Sequence, residues 1–363
     1  MKIAFLSFYS GIVYRGVETF VHELANGLIK LGVDVTVYQL GKELPNSKYK
    51  TVTIDVDVDW SKKGSYLPFL NYYCLRVKKF TSKALKVIDK DTDIIFPTNG
   101  QWQSILCSLW SKLNKKKIVI AGQSGPGLDD RINILTFPNR FIGLTEFQKS
   151  WAEKANPFVK SVEIPNGVSL KDFGLQSQSL QIKLEKPVIL CVSALVFWKR
   201  LDLIIRAMSK IKKGSLLLVG KGDQEGKLQK LGNELLPKRF KILSFKHKDM
   251  PKIYRSADLF TFSTVPWESF GIVLVEAMAS GLPVVATNDP IRREIVGDAG
   301  LFVDPVNVEE YASALKKALS INWGDKPRKQ AEKFDWDRIA LEYEKLFTKL
   351  VARDSARGLR DMI

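Results

Sequence analysis

An α/β protein built from two open parallel sheets in series is what the 363-residue sequence predicts. Three observations carry that expectation. Short apolar runs of strand length alternate with stretches whose apolar residues recur every three or four positions, the alternation that builds βαβ units. A turn-rich, polar segment near the middle separates two such series. The length exceeds what one hydrophobic core ordinarily organises and suits two domains.

The first unit opens with an apolar strand, Lys2 to Phe8, and a loop from Ser7 to Gly16 that carries Gly11 and Gly16. Val17, Phe20, Val21, Leu24, Leu28 and Leu31 then recur with helical spacing, and Gly32 sits where a helix-terminating glycine belongs. Asp34 to Leu40 is a β-branched second strand. Further strands are expected at Asp93–Thr98, Lys117–Gly122 and Arg140–Thr145. The stretch from Ser61 to Lys90 is basic and aromatic (Tyr66, Phe69, Tyr72, Tyr73, Phe80) and partly helical. The turn-rich piece IPNGVSLKDF and the polar run after it are expected to form a linker over 169–186.

The second unit restarts with the strand Val188–Ser193 and a helix over Asp202–Ile211. A strand at Ser215–Val219 ends in Gly220-Lys221-Gly222, by itself a weak turn signal. Strands follow at Phe240–Phe245, Leu259–Ser263, Pro283–Thr287 and Gly300–Val303. A last helical stripe contains Phe334, Trp336, Ile339, Ala340, Tyr343, Leu346, Phe347 and Leu350. The expected domains are therefore 1–168 with a C-terminal helix over about 336–363, and 187–335.

Composition narrows the class. At 45% hydrophobic residues, with 20 Phe, 10 Tyr and 8 Trp, the chain is not disordered as a whole. Lys and Arg total 56 against 39 acidic residues, a net charge of +17 that favours acidic partners: phosphorylated small molecules, nucleic acid or an anionic lipid surface. Three scattered cysteines exclude a disulfide framework, and two histidines without a CxxC pair argue against structural zinc. The start MKIAFLSFYSGIV has the outline of a short signal peptide. Its apolar stretch is brief, Arg15 and Glu18 follow at once, and no A-x-A-like end is present, so a buried first strand fits better. No run approaches about eighteen uncharged apolar residues, the length of a spanning helix. The expected location is cytoplasmic, with peripheral attachment to the inner face of the membrane as an extension of that expectation.

The densest chemistry lies in Trp267–Gly281, WESFGIVLVEAMASG. A loop after a strand feeds a helix whose first turn lies near Phe270 to Val273, and free amides at a helix start form an anion site. Glu268 precedes that turn and Glu276 lies eight residues later, so a bound phosphate would have a carboxylate acceptor for sugar hydroxyls on either side. Taken singly, Glu268 reads as a surface acid and Glu276 as a solvated helix residue. The apolar neighbours Val275, Ala277 and Met278 favour the paired reading.

ESFGIVLVEAMASGLPVVAT resembles the E-x7-E signature of the retaining glycosyltransferases of family 4, which have the two-domain GT-B fold. VSALVFWKRLDLIIRAM, LLLVGKGDQEGKLQKL, KHKDMPKIYRSADLFTFST and IPNGVSLKDF resemble further family segments in the same order, and KFDWDRIALEYEKLF resembles the terminal helix. The resemblance implies two Rossmann-like domains facing across a cleft, with the last helix packing back on the first domain. It implies that Glu268 meets the hydroxyls of the transferred sugar and that the amides of Phe270, Gly271, Ile272 and Val273 meet the sugar and diphosphate. Glu276 would hold the ribose, Lys199 would neutralise the leaving diphosphate, and Gly16 would lie beside it from the first domain. Lys246 and His247 would flank the nucleobase.

Three departures from the family pattern matter. Ser193-Ala194 stands where an arginine is usual, leaving Arg200 as the substitute cation. The glycine-rich loop reads Arg15-Gly16-Val17-Glu18. Gln123 replaces a histidine, so no histidine base is expected there; Arg15 and Gln123 are placed on the acceptor side.

The expected reaction is transfer from a UDP- or GDP-sugar to an acceptor hydroxyl with retention, on a glycan or lipid-linked glycan in cell-envelope or polysaccharide synthesis. The nucleotide sugar is a co-substrate; no other cofactor and no metal is expected, and no nucleic-acid partner. The basic charge suggests an anionic membrane surface as a further partner. A nucleotide-sugar epimerase of the same fold and a non-catalytic basic lipid- or nucleic-acid-binding protein are the alternatives. Blander readings stand beside several assignments: a solvated pair for Lys199 and Arg200, a structural turn for Gln123, a surface position for His22, and a local acidic pair for Asp129 and Asp130.

Overall fold

A computed structural model describes residues 1–62, 67–174 and 179–360. Tyr66, part of the expected linker (175–178) and the last three residues of the expected C-terminal helix lie outside them. The chain forms two compact units, Met1–Asn166 together with the segment from Trp336 onward, and Gly167–Asp335.

The sheet of the first unit contains β1 (Lys2–Ser7), β2 (Asp34–Gln39), β3 (Lys50–Thr53), β4 (Ile94–Pro97), β5 (Lys117–Ala121), β6 (Arg140–Gly143) and β7 (Ser161–Glu163). All are parallel, in the order β3-β2-β1-β4-β5-β6-β7. The central strands are apolar end to end because helices cover both faces. Those helices are α1 (Gly16–Lys30), α2 (Tyr72–Val87), α3 (Trp102–Leu113), α4 (Leu128–Leu135) and α5 (Glu146–Ala155).

The second unit repeats the design with β8 (Val188–Val192), β9 (Ser215–Val219), β10 (Phe240–Leu243), β11 (Leu259–Phe262), β12 (Val284–Thr287) and β13 (Gly300–Val303). Their order is β10-β9-β8-β11-β12-β13, again all parallel. The helices are α6 (Leu201–Ser209), α7 (Glu225–Leu235), α8 (Met250–Tyr254), α9 (Ile272–Ala279), α10 (Pro290–Val296), α11 (Val308–Ser320) and α12 (Lys326–Ala331). Each sheet reverses its winding once, between β1 and β4 and between β8 and β11. Doubly wound sheets bind ligands in the crevice at the carboxyl ends of the strands where that reversal occurs.

The last helix, α13 (Trp336–Arg360), belongs to the first unit. Its aromatic stripe supplies part of that core. Tyr343 packs against Phe20 and Phe96, Phe347 against Phe96, and Trp336 against Phe20, at centroid separations of 6.0–6.2 Å. Tyr343 and Phe347 are fully buried, each worth about 1.5–3 kcal/mol relative to exposure. Phe334, which the sequence pattern includes in this helix, instead precedes it in a 3-10 turn and packs on Phe270 of the second unit.

The described part of the expected linker is not a free connector. Val168 and Phe173 are buried, and Phe173 packs against Tyr254 and His247. Residues 169–174 thus serve as packing of the second unit, because two apolar side chains in a turn-rich piece find a hydrophobic surface to cover. His22, expected at the surface, is half-buried: Nδ1 bonds the Tyr49 hydroxyl at 2.9 Å and Nε2 the Asn26 amide at 3.2 Å.

Candidate active site

At the reversal point of the second sheet, the loop after β8 and the loop after β11 lie side by side. The first passes through a 3-10 turn, Phe197–Lys199, and Arg200 then takes a left-handed conformation (φ 49°) that turns the chain into α6. Ser263, at the end of β11, donates from Oγ to the carbonyls of Lys199 and Arg200 at 2.9 and 3.0 Å. The two loops are thereby tied together by backbone.

The second loop carries Glu268. Lys199 Nζ lies 2.6 Å from Glu268 Oε2, with side chains only 14% and 21% exposed. Thr264 Oγ1 donates to the same carboxylate oxygen at 3.1 Å, and the ammonium lies 5.4 Å from the centre of the Phe262 ring. An ammonium and a carboxylate shielded this far from water interact more strongly than a surface pair and keep one geometry.

Gly271 caps α9 in the left-handed region (φ 78°), a backbone conformation glycine adopts without strain. It aims the first-turn amides of Ile272 and Val273 out of the loop, where no preceding helical carbonyl meets them. The helix therefore begins two residues later than the sequence pattern places it, and Phe270 belongs to the loop. The Phe270 ring is 1% exposed and packs on Phe334, so its side chain belongs to the core. Glu276 is buried at 6% exposure rather than solvated. It accepts a 2.6 Å hydrogen bond from the Tyr254 hydroxyl, and its other oxygen stands 3.8 Å from His247 Nε2. That bond, the nearby carboxylate charge and above all burial push the Tyr254 phenol well above its ordinary pKa, so it stays a donor. His247 and Lys246 are exposed, with the His247 ring edge-on to Phe173.

Arg200 is also engaged by the fold. Its Nε donates to the Ser263 carbonyl at 3.0 Å and its Nη2 to the Thr264 carbonyl. Those bonds brace the end of β11 against the start of α6. Gly220 and Gly222 have a structural explanation: a Cβ on them would come within 1.9 Å of the Ser193 carbonyl oxygen and 2.2 Å of that of Leu195. The glycines let the ends of β8 and β9 approach.

One residue that sequence reasoning missed organises this loop. Arg292, on α10, is fully buried. Its Nε pairs with Asp289 at 2.8 and 3.0 Å, Nη1 donates to the carbonyls of Glu268 and Ser269 at 2.9 and 3.2 Å, and Nη2 to that of Pro266 at 3.0 Å. The signal was present in the sequence: Asp289 before Pro290 marks a helix start, and an arginine three positions later can return to the cap.

In the first unit, Arg15 caps α1 by its backbone. Its guanidinium bonds the buried Glu18 at 3.1 and 3.3 Å and stacks 4.4 Å over the Tyr9 ring. Gly16 is the first residue of α1. Gln123, just beyond β5, exchanges two 3.1 Å hydrogen bonds with the Asn166 side chain, which fixes its amide. Asp130 is buried beneath the same loop. Desolvation pushes its carboxyl up to about 8, against the pull of bonds from Asn133 and the Gly125 and Ser124 amides.

The geometry can be set beside known proteins. Residues 172–334 match the family described as "Glycosyl transferases group 1". A glycosyltransferase of Methanocaldococcus jannaschii is 27% identical, the match covering 94% of this chain and 96% of the relative. The two-sheet architecture is that of the GT-B fold, and residues 172–334 resemble the group 1 glycosyltransferases. Among solved structures, sucrose-phosphate synthase from Thermosynechococcus elongatus superposes with a TM-score of 0.76 at 19% identity, covering 97% of this chain and 99% of that chain. Anabaena HepE in complex with UDP and glucose gives the same TM-score at 19% identity, covering 96% and 100%. The matches support an enzyme of hexosyltransferase type, and in the second unit a cation, two carboxylates and a helix start converge at the carboxyl ends of the strands. Among the described residues no helix is long and apolar enough to cross a membrane.

Proposed function

We propose that the protein moves a sugar from a UDP- or GDP-sugar to a hydroxyl of a glycan or lipid-linked glycan, with retention at the anomeric carbon. The observation that carries this reading is the Lys199–Glu268 pair beside the first turn of α9, with the buried Glu276 eight residues further on. Lys199 and the amides of Gly271, Ile272 and Val273 hold the diphosphate, and Lys199 offsets the charge that grows on it as it leaves. Glu268 accepts hydrogen bonds from the transferred sugar. Glu276, oriented by Tyr254, accepts them from the ribose, and the base lies toward His247 and Phe173. The bond from the anomeric carbon to the diphosphate oxygen breaks, the acceptor oxygen bonds to the same face, and its proton passes to the departing phosphate. No histidine base is required, in keeping with Gln123. The UDP-bound state of a structural relative supports a nucleotide donor.

Thermal-shift measurements with UDP, GDP, ADP, dTDP and CMP and their common sugars test the reading. A ligand at 100 times its dissociation constant stabilises by about 2.7 kcal/mol. One nucleotide class should shift the wild type and lose its effect in Glu276→Ala and Glu276→Gln, both first shown to be folded. No shift with any nucleotide overturns the reading.

A further inference from the structure

Three helices of the first unit end side by side at the amino ends of β5, β6 and β7, away from the carboxyl-end crevice of the same sheet. Lys112, in the last turn of α3, donates from Nζ to the Thr136 carbonyl at 3.2 Å. Asn156, which caps α5, donates from Nδ2 to the Ile134 carbonyl at 3.4 Å. The Phe141 amide in β6 donates to the Lys160 carbonyl at 3.1 Å. The loops at 114–116, 136–139 and 156–160 thus form one surface.

That surface carries apolar side chains that no described part of the chain covers. Phe158 and Leu113 are 87% and 84% exposed, and Leu109, Leu135 and Phe137 are half-exposed. Phe137 follows the cap of α4 in a left-handed conformation (φ 56°), the place where glycine ends a helix without strain. Lys115 holds the same place after α3 (φ 54°). An aromatic ring and an ammonium group are therefore held at two positions whose backbone favours neither.

The charge around these tips has one sign. Segments 112–117 (KLNKKK), 135–140 (LTFPNR) and 153–160 (EKANPFVK) contain seven basic residues and one acid, Glu153. The loop before β4 borders the surface with Asp89, Asp91 and Asp93, where the Lys2 side chain pairs with Asp91 and the Lys2 amide bonds Asp93. With that loop and its Lys90 included, eight basic residues still face four acids.

Lysine around apolar tips selects the occupant. A second copy of this chain, meeting the surface across a two-fold axis, would set the basic residues against themselves. A single-stranded nucleic acid would use the charge but has no place for Leu109, Leu113 and Leu135, which do not stack on bases as aromatic rings do. Side chains as exposed as Phe158 and Leu113 project from the surface rather than line a groove for a peptide. An anionic bilayer meets both features: its headgroups take the lysines, and its acyl boundary takes the rings and leucines.

We propose that the surface at the amino ends of β5 to β7, with Leu113, Phe137 and Phe158 at its tips, docks the protein on an anionic lipid bilayer. Docking there leaves the carboxyl-end crevice of the same sheet open, and it does not rest on the transferase reading.

Co-sedimentation of the full-length protein with phosphatidylcholine vesicles, with and without about 30 mol % phosphatidylglycerol, tests the proposal. Wild type should pellet with the anionic vesicles and stay in solution with phosphatidylcholine alone. The pair Leu113→Ser and Phe158→Ser, and separately the pair Lys115→Glu and Lys160→Glu, should each weaken vesicle binding about tenfold or more. The same charge change on α7 of the second unit, Lys227→Glu with Lys230→Glu, should weaken it less than about twofold. Every substituted side chain is exposed, so circular dichroism and unfolding midpoints should match wild type. Equal pelleting with both vesicles, no pelleting, an unchanged Leu113/Phe158 variant, or an α7 control as weak as the loop variants overturns the proposal. So does a single-stranded oligonucleotide that binds more tightly than the vesicles and is lost in the Lys115/Lys160 variant. No sugar nucleotide enters these mixtures, so the donor reading stands or falls on its own thermal-shift result.

Discussion

Replacing Arg292 by methionine keeps most of the side-chain volume and removes every donor. Asp289, with a side chain 2% exposed, would keep only its bond from the residue 292 amide, and the carbonyls of Pro266, Glu268 and Ser269 would lose their partners. Breaking a buried ion pair by removing one member costs about 3–5 kcal/mol, chiefly because the other charge stays buried and unpaired. That is a large share of the roughly 5–15 kcal/mol that keeps a domain folded. For a unit of this size each kcal/mol moves the midpoint by about 2–4 °C, so Arg292→Met should lower it by about 6–20 °C. Urea and thermal unfolding followed by circular dichroism measure the loss, and hydrogen exchange of the 266–273 amides reads the loosening of the loop. The double variant Arg292→Met with Asp289→Asn should recover part of the loss, since no buried charge is then left without a partner. A loss below about 1 kcal/mol, or a double variant no better than the single, refutes the account of Arg292 as the brace of the Glu268 loop.

Four further outcomes follow from the geometry. Tyr254→Phe removes the 2.6 Å bond that orients Glu276 and should raise the donor KM about 5–30-fold with kcat nearly unchanged, the equivalent of about 1–2 kcal/mol in steady-state kinetics. Lys199→Ala should lower kcat by about 10²–10³, and, because it leaves the half-buried Glu268 carboxylate without its cation, should lower the unfolding midpoint by less than Arg292→Met does. Asp130 has its carboxyl raised to about 8 in the fold, so it binds a proton that the unfolded chain has already released above pH 4; its contribution is fully present below that pH and is lost as pH rises toward 8. Stability should therefore fall by up to about 1.4 kcal/mol per pH unit across that window from this group, and Asp130→Asn should flatten the slope in urea titrations at several pH values. Gly220→Ala would drive a methyl into the Ser193 carbonyl and should cost several kcal/mol, whereas Gly226→Ala, on α7 with open space around it, should stabilise by about 0.5–1 kcal/mol in the same unfolding assay.

The central strands were readable because each is buried on both faces and so appears as an unbroken apolar run, as in KIAFLS and SLLLV. The edge strands β3 and β7 were not: KTVT and SVE are short and half-exposed, and only their neighbours make them strands. The segment around Glu268 was legible because loop, glycine cap, apolar helix and second glutamate are contiguous. For Arg292 only the cap pairing with Asp289 was legible; its loop carbonyls, like the Glu276 partner of Tyr254, lie more than twenty positions away. Arg200 shows what charge alone does not reveal: its left-handed backbone and proximity to the end of β11 give its Nε and Nη2 carbonyl partners.

The return of α13 to the first unit has a consequence for how the protein is made. Phe20 and Phe96 are synthesised early, yet Tyr343 and Phe347, which cover them, leave the ribosome last. The middle of the chain, Gly167–Asp335, is continuous and can complete its sheet while the earlier-made part still shows an uncovered aromatic face to solvent. Emerging order and finishing order are thus reversed, and it is the older portion of the nascent chain that depends on chaperones. A stop codon between Asp335 and Tyr343 would remove both covering aromatics and leave a product with a finished second unit and an open first one, a species marked for aggregation or proteolysis rather than for reduced activity.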